Sequence, residues 1–134
     1  MTVQGGQIMD NALCGGGSAQ LSGAAATMIK AAIFMGDPRY VSGLSYNVGT
    51  CKAKGVSKPC MNHSFISTSR LIYEMLQFAA RPSGFQCSAA AKIKSYCDAA
   101  DPYCCNGSSQ ATHQGYGGVY GQQALAFIKT KITA

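Results

Sequence analysis

Apolar positions along this chain fall into short blocks separated by glycine-rich breaks. From Gln4 to Leu13, Ile8, Ala12 and Leu13 recur at helical spacing and Gly15–Gly17 stop the pattern, which predicts a helix. Ser22 to Met28 predicts a further short helical turn. Ile29–Met35 is an apolar run that ends in Gly36-Asp37-Pro38, the pattern of a buried parallel strand followed by a turn. Lys92–Tyr96 alternates polar and apolar, predicting a second strand at a sheet edge with one wet face. Gly118 to Ile132 predicts the last helix. Its Leu125, Ile128 and Ile132 should pack on the sheet, and Lys129 and Lys131 complement the dipole of its last turns. The 134 residues allow one domain at most, and this inventory of elements is thin for an α/β protein.

The chemistry concentrates between Tyr96 and Tyr116. Asp101 stands beside Pro102 just past the second predicted strand, and His113 follows in a Gly/Ser-rich loop before the last helix. A buried carboxylate that orients an imidazole makes a general base. Asp37 and Asp98 are alternative acids, since each also follows a strand, but the path from Asp101 to His113 is shorter than that from Asp37. Cys97, Cys104, Cys105 and His113 could in principle ligate zinc. Adjacent cysteines do not easily share one tetrahedral ion and the chain has no Cys-x-x-Cys pair, so no metal is expected.

Composition narrows the class. The net charge of +6 is scattered without a basic stripe, so nucleic acid is not an expected partner. Lys52, Lys54 and Arg39 read as solvated surface. No run of about 18 apolar residues predicts a membrane span. Seven cysteines imply an oxidising compartment, and their odd number leaves one over. Met1 opens no leader peptide, and a monomer is expected.

Five segments carry a specific resemblance: Gln4–Gly17 (QGGQIMDNALCGGG), Lys30–Tyr40 (KAAIFMGDPRY), Gly43–Cys51 (GLSYNVGTC), Ala90–Gly107 (AAKIKSYCDAADPYCCNG) and Thr112–Phe127 (THQGYGGVYGQQALAF). Together they resemble the C-terminal half of fungal acetylxylan esterases of the cutinase-like family. The resemblance implies the C-terminal part of an α/β-hydrolase, a parallel sheet flanked by helices with its N-terminal strands missing. It implies Asp101 and His113 as triad members and the Gln4 backbone N–H as an oxyanion donor. Where the family carries Gly-Tyr-Ser before Gln-Gly-Gly, this chain has Met1-Thr2-Val3, so Val3 holds the nucleophile position and has no nucleophilic atom. The implied disulfides are Cys14 with Cys87, Cys51 with Cys105 and Cys97 with Cys104.

The resemblance further implies a secreted serine esterase that needs no cofactor and acts on acetylated xylan or another ester, and the chain as written is expected to be inactive. The alternatives are a cutinase-type esterase for other short-chain esters and a non-catalytic, disulfide-rich secreted protein. Residues Val56–Gln77, with the odd Cys60, His63 and the chain's only glutamate, Glu74, lie outside the resemblance. They read as an insertion into the domain spanning 1–134, either a real loop or a translated intron.

Overall fold

The computed structural model describes residues 4–16, 20–55 and 80–133. Val3, Cys60, His63 and the whole of 56–77 fall outside the described residues. Helix α1 spans Gln4–Cys14 and the short helix α2 spans Gly23–Met28. Strand β1 (Ala32–Met35) follows, then the two-residue strand β2 (Asn47–Val48). A 3-10 turn at Ala90–Lys92 leads into β3 (Ile93–Tyr96), and helix α3 spans Gln110–Ile132. No described helix is long and apolar enough to cross a membrane.

The strands form a parallel sheet in the order β1-β3-β2, with Ala32 opposite Ile93, Met35 opposite Tyr96 and Val48 also opposite Tyr96. β3 is therefore the central strand, not the edge that its alternation predicts. Lys94 is only half-buried, while Ile93, Ser95 and Tyr96 are buried. The Lys94 ammonium stands 5.8 Å from the Phe127 ring of α3, so its aliphatic stem lies along protein while its charge sits over an aromatic face.

Alternate residues of each strand face opposite sides of the sheet, and each side has its own core. On one side Ala32, Phe34 and Ile93 pack with Leu13, Cys14, Tyr46 and Cys87. On the other, Tyr96 packs with Cys97, Cys104, Cys105, Tyr116 and Ala124, and Ile33, Met35 and Tyr120 join them. Helices thus cover both faces, the arrangement that permits a parallel sheet.

Both major helices bury different faces from those the apolar spacing predicts. In α1 the buried residues include Gln7, Asp10 and Asn11 beside Leu13, while Ile8 is 62% exposed. Polar groups occupy this interface because Asp10 meets the guanidinium of Arg81, whose Nε donates to Asp10 Oδ2 at 2.8 Å. In α3, Tyr116 and Ala124 are buried and Tyr120 is partly buried, at i, i+4 and i+8. Leu125 is 44% exposed and Ile132 62% exposed, so neither anchors the helix. The tyrosines do so, because their rings pack with Tyr96 and with each other, at centroid distances of 5.0 Å for Tyr96–Tyr120 and 6.1 Å for Tyr116–Tyr120.

Candidate active site

The loop after β3 is folded around Asp101. The Asp101 N–H donates to the Asp98 carbonyl at 3.0 Å, and the Asp101 carbonyl accepts from Gly107 N–H at 3.1 Å. A disulfide joins Cys97 to Cys104, seven residues apart, across this turn. A second joins Cys51 to Cys105 and a third joins Cys14 to Cys87. The neighbours Cys104 and Cys105 therefore fasten the loop to two different places, the end of β3 and the segment after β2. The sulfurs of Cys51, Cys97 and Cys105 gather within 4.8 Å of one another. All three belong to disulfides and carry no thiolate, the form that ligates a metal.

Within this loop the Asp101 carboxylate is fully buried and fully engaged. Oδ1 accepts the N–H groups of Tyr103 at 2.6 Å and Cys104 at 3.1 Å, and Oδ2 lies 2.9 Å from His113 Nδ1. Burial alone would push the Asp101 carboxyl up. The hydrogen bonds from His113, Tyr103 and Cys104 outweigh it and hold the carboxyl below its ordinary value. Asp101 is thus an anion with fixed acceptors, and it assigns the His113 proton to Nδ1, leaving Nε2 as the acceptor.

His113 sits inside the first turn of α3, which starts at Gln110 rather than at Gly118, so the predicted loop before the helix is already helical. The Ser109 Oγ accepts from Thr112 N–H at 3.1 Å and closes the helix start. Glycines 115, 117 and 118 obscure the helix in the sequence; tertiary packing of Tyr116 and Tyr120 overrides their low propensity. The Tyr103 ring lies against the imidazole, 4.4 Å between centroids, and the Tyr103 hydroxyl donates to Gln110 Oε1 at 3.0 Å.

The two alternative acids, Asp98 and Asp37, have different partners. The Asp98 Oδ1 accepts from Thr50 N–H and from the Tyr120 hydroxyl, each at 2.9 Å, which ties its loop to α3. Asp37 accepts the Arg39 N–H at 3.0 Å through Oδ1, a turn around Pro38. It is buried against α1: a Cβ built on Gly6 would stand 3.5 Å from Asp37 Cβ. Burial, then the nearby negative charge of Asp10, pushes the Asp37 carboxyl up to about 7.

Gln4 is the first residue of α1, and Gly6, two residues on, makes this contact with Asp37. Arg39, expected on the surface, is buried and stands 3.7 Å from Asp10, whereas Lys52 and Lys54 are exposed. Sequence reasoning missed Tyr103, Arg81 and Gly36 as parts of the site's surroundings. Only Gly36, ahead of an Asp-Pro turn, left a signal in the sequence.

A family model described as Cutinase matches residues 3–132. Acetylxylan esterase 2 of Talaromyces purpureogenus is 55% identical over 138 aligned residues, covering 96% of this chain and 50% of that protein. Cutinase 11 of Verticillium dahliae is 50% identical across 98% of this chain and 40% of its own length. The chain spans about half the length of the curated relatives it matches. Among solved structures, the catalytic core domain of acetyl xylan esterase from Trichoderma reesei superposes with a TM-score of 0.76 at 51% identity, over 96% of this chain and 56% of that one. The parallel sheet with helices on both faces is thus the cutinase-like α/β fold. With a family match that runs nearly end to end, this chain belongs to the cutinase family.

Proposed function

We propose that this chain carries the acid and base of a serine esterase that removes acetyl groups from xylan. The observation that supports this reading is the 2.9 Å contact between His113 Nδ1 and the buried Asp101 Oδ2. In that reaction a serine Oγ attacks the acetyl carbonyl while His113 Nε2 takes its proton. The proton then passes to the departing sugar oxygen, leaving an acetyl-enzyme. Water attacks it with His113 again as base, and acetate leaves. Asp101 keeps the ring oriented and stabilises the imidazolium that forms. The Gln4 backbone N–H, at the start of α1, is one donor to the oxyanion.

Val3 occupies the nucleophile position in this reading, and a valine cannot form the acyl-enzyme. The polypeptide as written is therefore inactive, and the activity belongs to a chain that brings a serine there. The three bridges suit a secreted protein acting outside the cell. The likeness to Cutinase 11 favours a second reading, hydrolysis of other short-chain esters. A non-catalytic role is the remaining one.

Acetate release from acetylated xylan, and hydrolysis of p-nitrophenyl acetate and butyrate, separate these. Three proteins are compared: the chain, its Val3→Ser variant, and a chimaera in which a relative's upstream half, ending in Gly-Tyr-Ser, precedes Gln4. Only the chimaera should release acetate, faster from xylan than from the longer ester. Turnover by the unaltered chain would overturn the inactivity, a preference for butyrate would favour the second reading, and a silent chimaera would favour the third.

A further inference from the structure

Gly36 directly follows β1, and its N–H donates to the Tyr96 carbonyl at 3.0 Å, which continues the β1–β3 ladder by one bond. Its φ is +67°, in the left-handed region that side chains rarely adopt. A second constraint is independent of the first. A Cβ at this position would stand 2.6 Å from both Nδ1 and Cε1 of His113 and 3.1 Å from Asp101 Oδ2. The imidazole therefore fills the space that a side chain of residue 36 would take. The next residue, Asp37, packs on Gly6 in the first turns of α1. One dipeptide thus contacts both the base and the helix whose start carries the proposed oxyanion donor.

We propose that Gly36 is a positioning residue for His113. The bare backbone at the end of β1 is the seat on which the ring rests, and it sets how closely Nδ1 approaches Asp101. This seat, the Asp101 carboxylate and the Tyr103 ring each bear on the imidazole and together orient it. A methyl group on the seat pushes the ring off Asp101 even where the fold survives. The proposal rests on the reading of Asp101 and His113 as acid and base, and its test keeps the two separable.

The backbone cost of replacing a left-handed glycine must be subtracted, and Gly43 supplies the control. Its φ is +91°, and nothing stands within 4 Å of a Cβ built there. In the full chain, Gly36→Ala and Gly43→Ala are compared by imidazole proton and nitrogen NMR. The low-field resonance of the His113 Nδ1 proton should be present in the wild type, retained in Gly43→Ala and lost or strongly shifted in Gly36→Ala. Its absence from the wild type would defeat the acid–base reading itself. Its persistence unchanged in Gly36→Ala would overturn the positioning role alone.

A thermodynamic cycle holds the test firm if Gly36→Ala unfolds. The denaturation midpoint is measured for Gly36→Ala alone and in a His113→Ala background, where the ring is gone. The loss caused by the methyl group should shrink markedly once the ring is removed, to the loss seen for Gly43→Ala. An equal loss in both backgrounds would sink the proposal. In the esterase-competent chimaera, Gly36→Ala should lower kcat about a hundredfold with little change in KM, the size of effect that a misplacement of about 1 Å produces.

Discussion

Arg81 reaches Asp10 across 71 residues of chain, its Nε and one terminal nitrogen each 2.8 Å from Asp10 Oδ2. Both side chains are buried, and Arg39 lies on the same carboxylate. This pair binds α1 to the segment that leads into β3. Replacing Arg81 by methionine keeps much of the bulk and leaves Asp10 and Asp37 with less compensation. The expected cost is about 3–5 kcal/mol, the usual penalty for orphaning a buried charge. Urea denaturation of Arg81→Met against wild type measures it, and Arg81→Met with Asp10→Leu should recover a large part of the loss.

Asp37 gives the chain a pH dependence of definite sign. Its ordinary value is 3.8 and the folded value is about 7, so the fold holds a proton that the unfolded chain releases. That contribution is complete below the ordinary value and is lost as pH rises through about 7. Asp101 is displaced the other way, so its contribution falls only on acidification below the ordinary carboxylate range and stays constant in this window. Thermal midpoints should therefore decline between pH 4 and pH 7 (about the span from ordinary to folded value). Asp37→Asn keeps an acceptor for the Arg39 N–H and should flatten that decline. An unchanged slope would show that another group carries it.

The disulfides should rank by the loops they close. The Cys14–Cys87 bridge spans 73 residues and Cys97–Cys104 spans seven. Loop-closure entropy assigns about 4.4 kcal/mol to the first and about 2.5 kcal/mol to the second. Paired Cys→Ala variants should lose stability in that order. The effects on the site should rank the other way, since of these two only the short bridge encloses Asp101. Loss of the His113 Nδ1 proton resonance in Cys97→Ala/Cys104→Ala, with its survival in Cys14→Ala/Cys87→Ala, is the expected outcome.

In the esterase-competent chimaera, Asp101→Asn should lower kcat by about 10⁴, because the amide stabilises the wrong tautomer of His113. Asp98→Asn, whose carboxylate holds Thr50 and Tyr120, should leave kcat within a few-fold. A comparable loss from both would mean that loop order, not the imidazole tautomer, limits the rate.

The sequence carried the elements better than their surroundings. β1 and the end of α1 were legible because an apolar run and a glycine stop are local signals. The central place of β3 was not, since Lys94 breaks the apolar pattern and its packing against Phe127 is set by α3, far along the chain. β2 is two residues long, too short for any periodicity. The apolar spacing of Leu125, Ile128 and Ile132 pointed to a face that the tyrosines of α3 occupy instead. Around the site, Asp101 and His113 stood out by type and spacing. Arg81 and Tyr103 did not, because a buried arginine and a surface one look alike until their partners are known. Gly36 is intermediate: its left-handed backbone is guessable before Asp-Pro, but its contact with His113 comes from the fold.

The three bridges overlap along the chain, with Cys51–Cys105 beginning inside the span of Cys14–Cys87 and enclosing Cys97–Cys104. A protease that cuts once anywhere between Cys14 and Cys105 therefore adds a water and releases nothing. Asp101 lies inside that span. His113 lies beyond it, on a helix joined to the rest by a single strand of backbone after Cys105. Nicking between Asn106 and Ser109 would leave the carboxylate within the bridged segment and cut the covalent link to α3, so denaturing, non-reducing gels would release the fragment that carries the base and keep the acid with the rest.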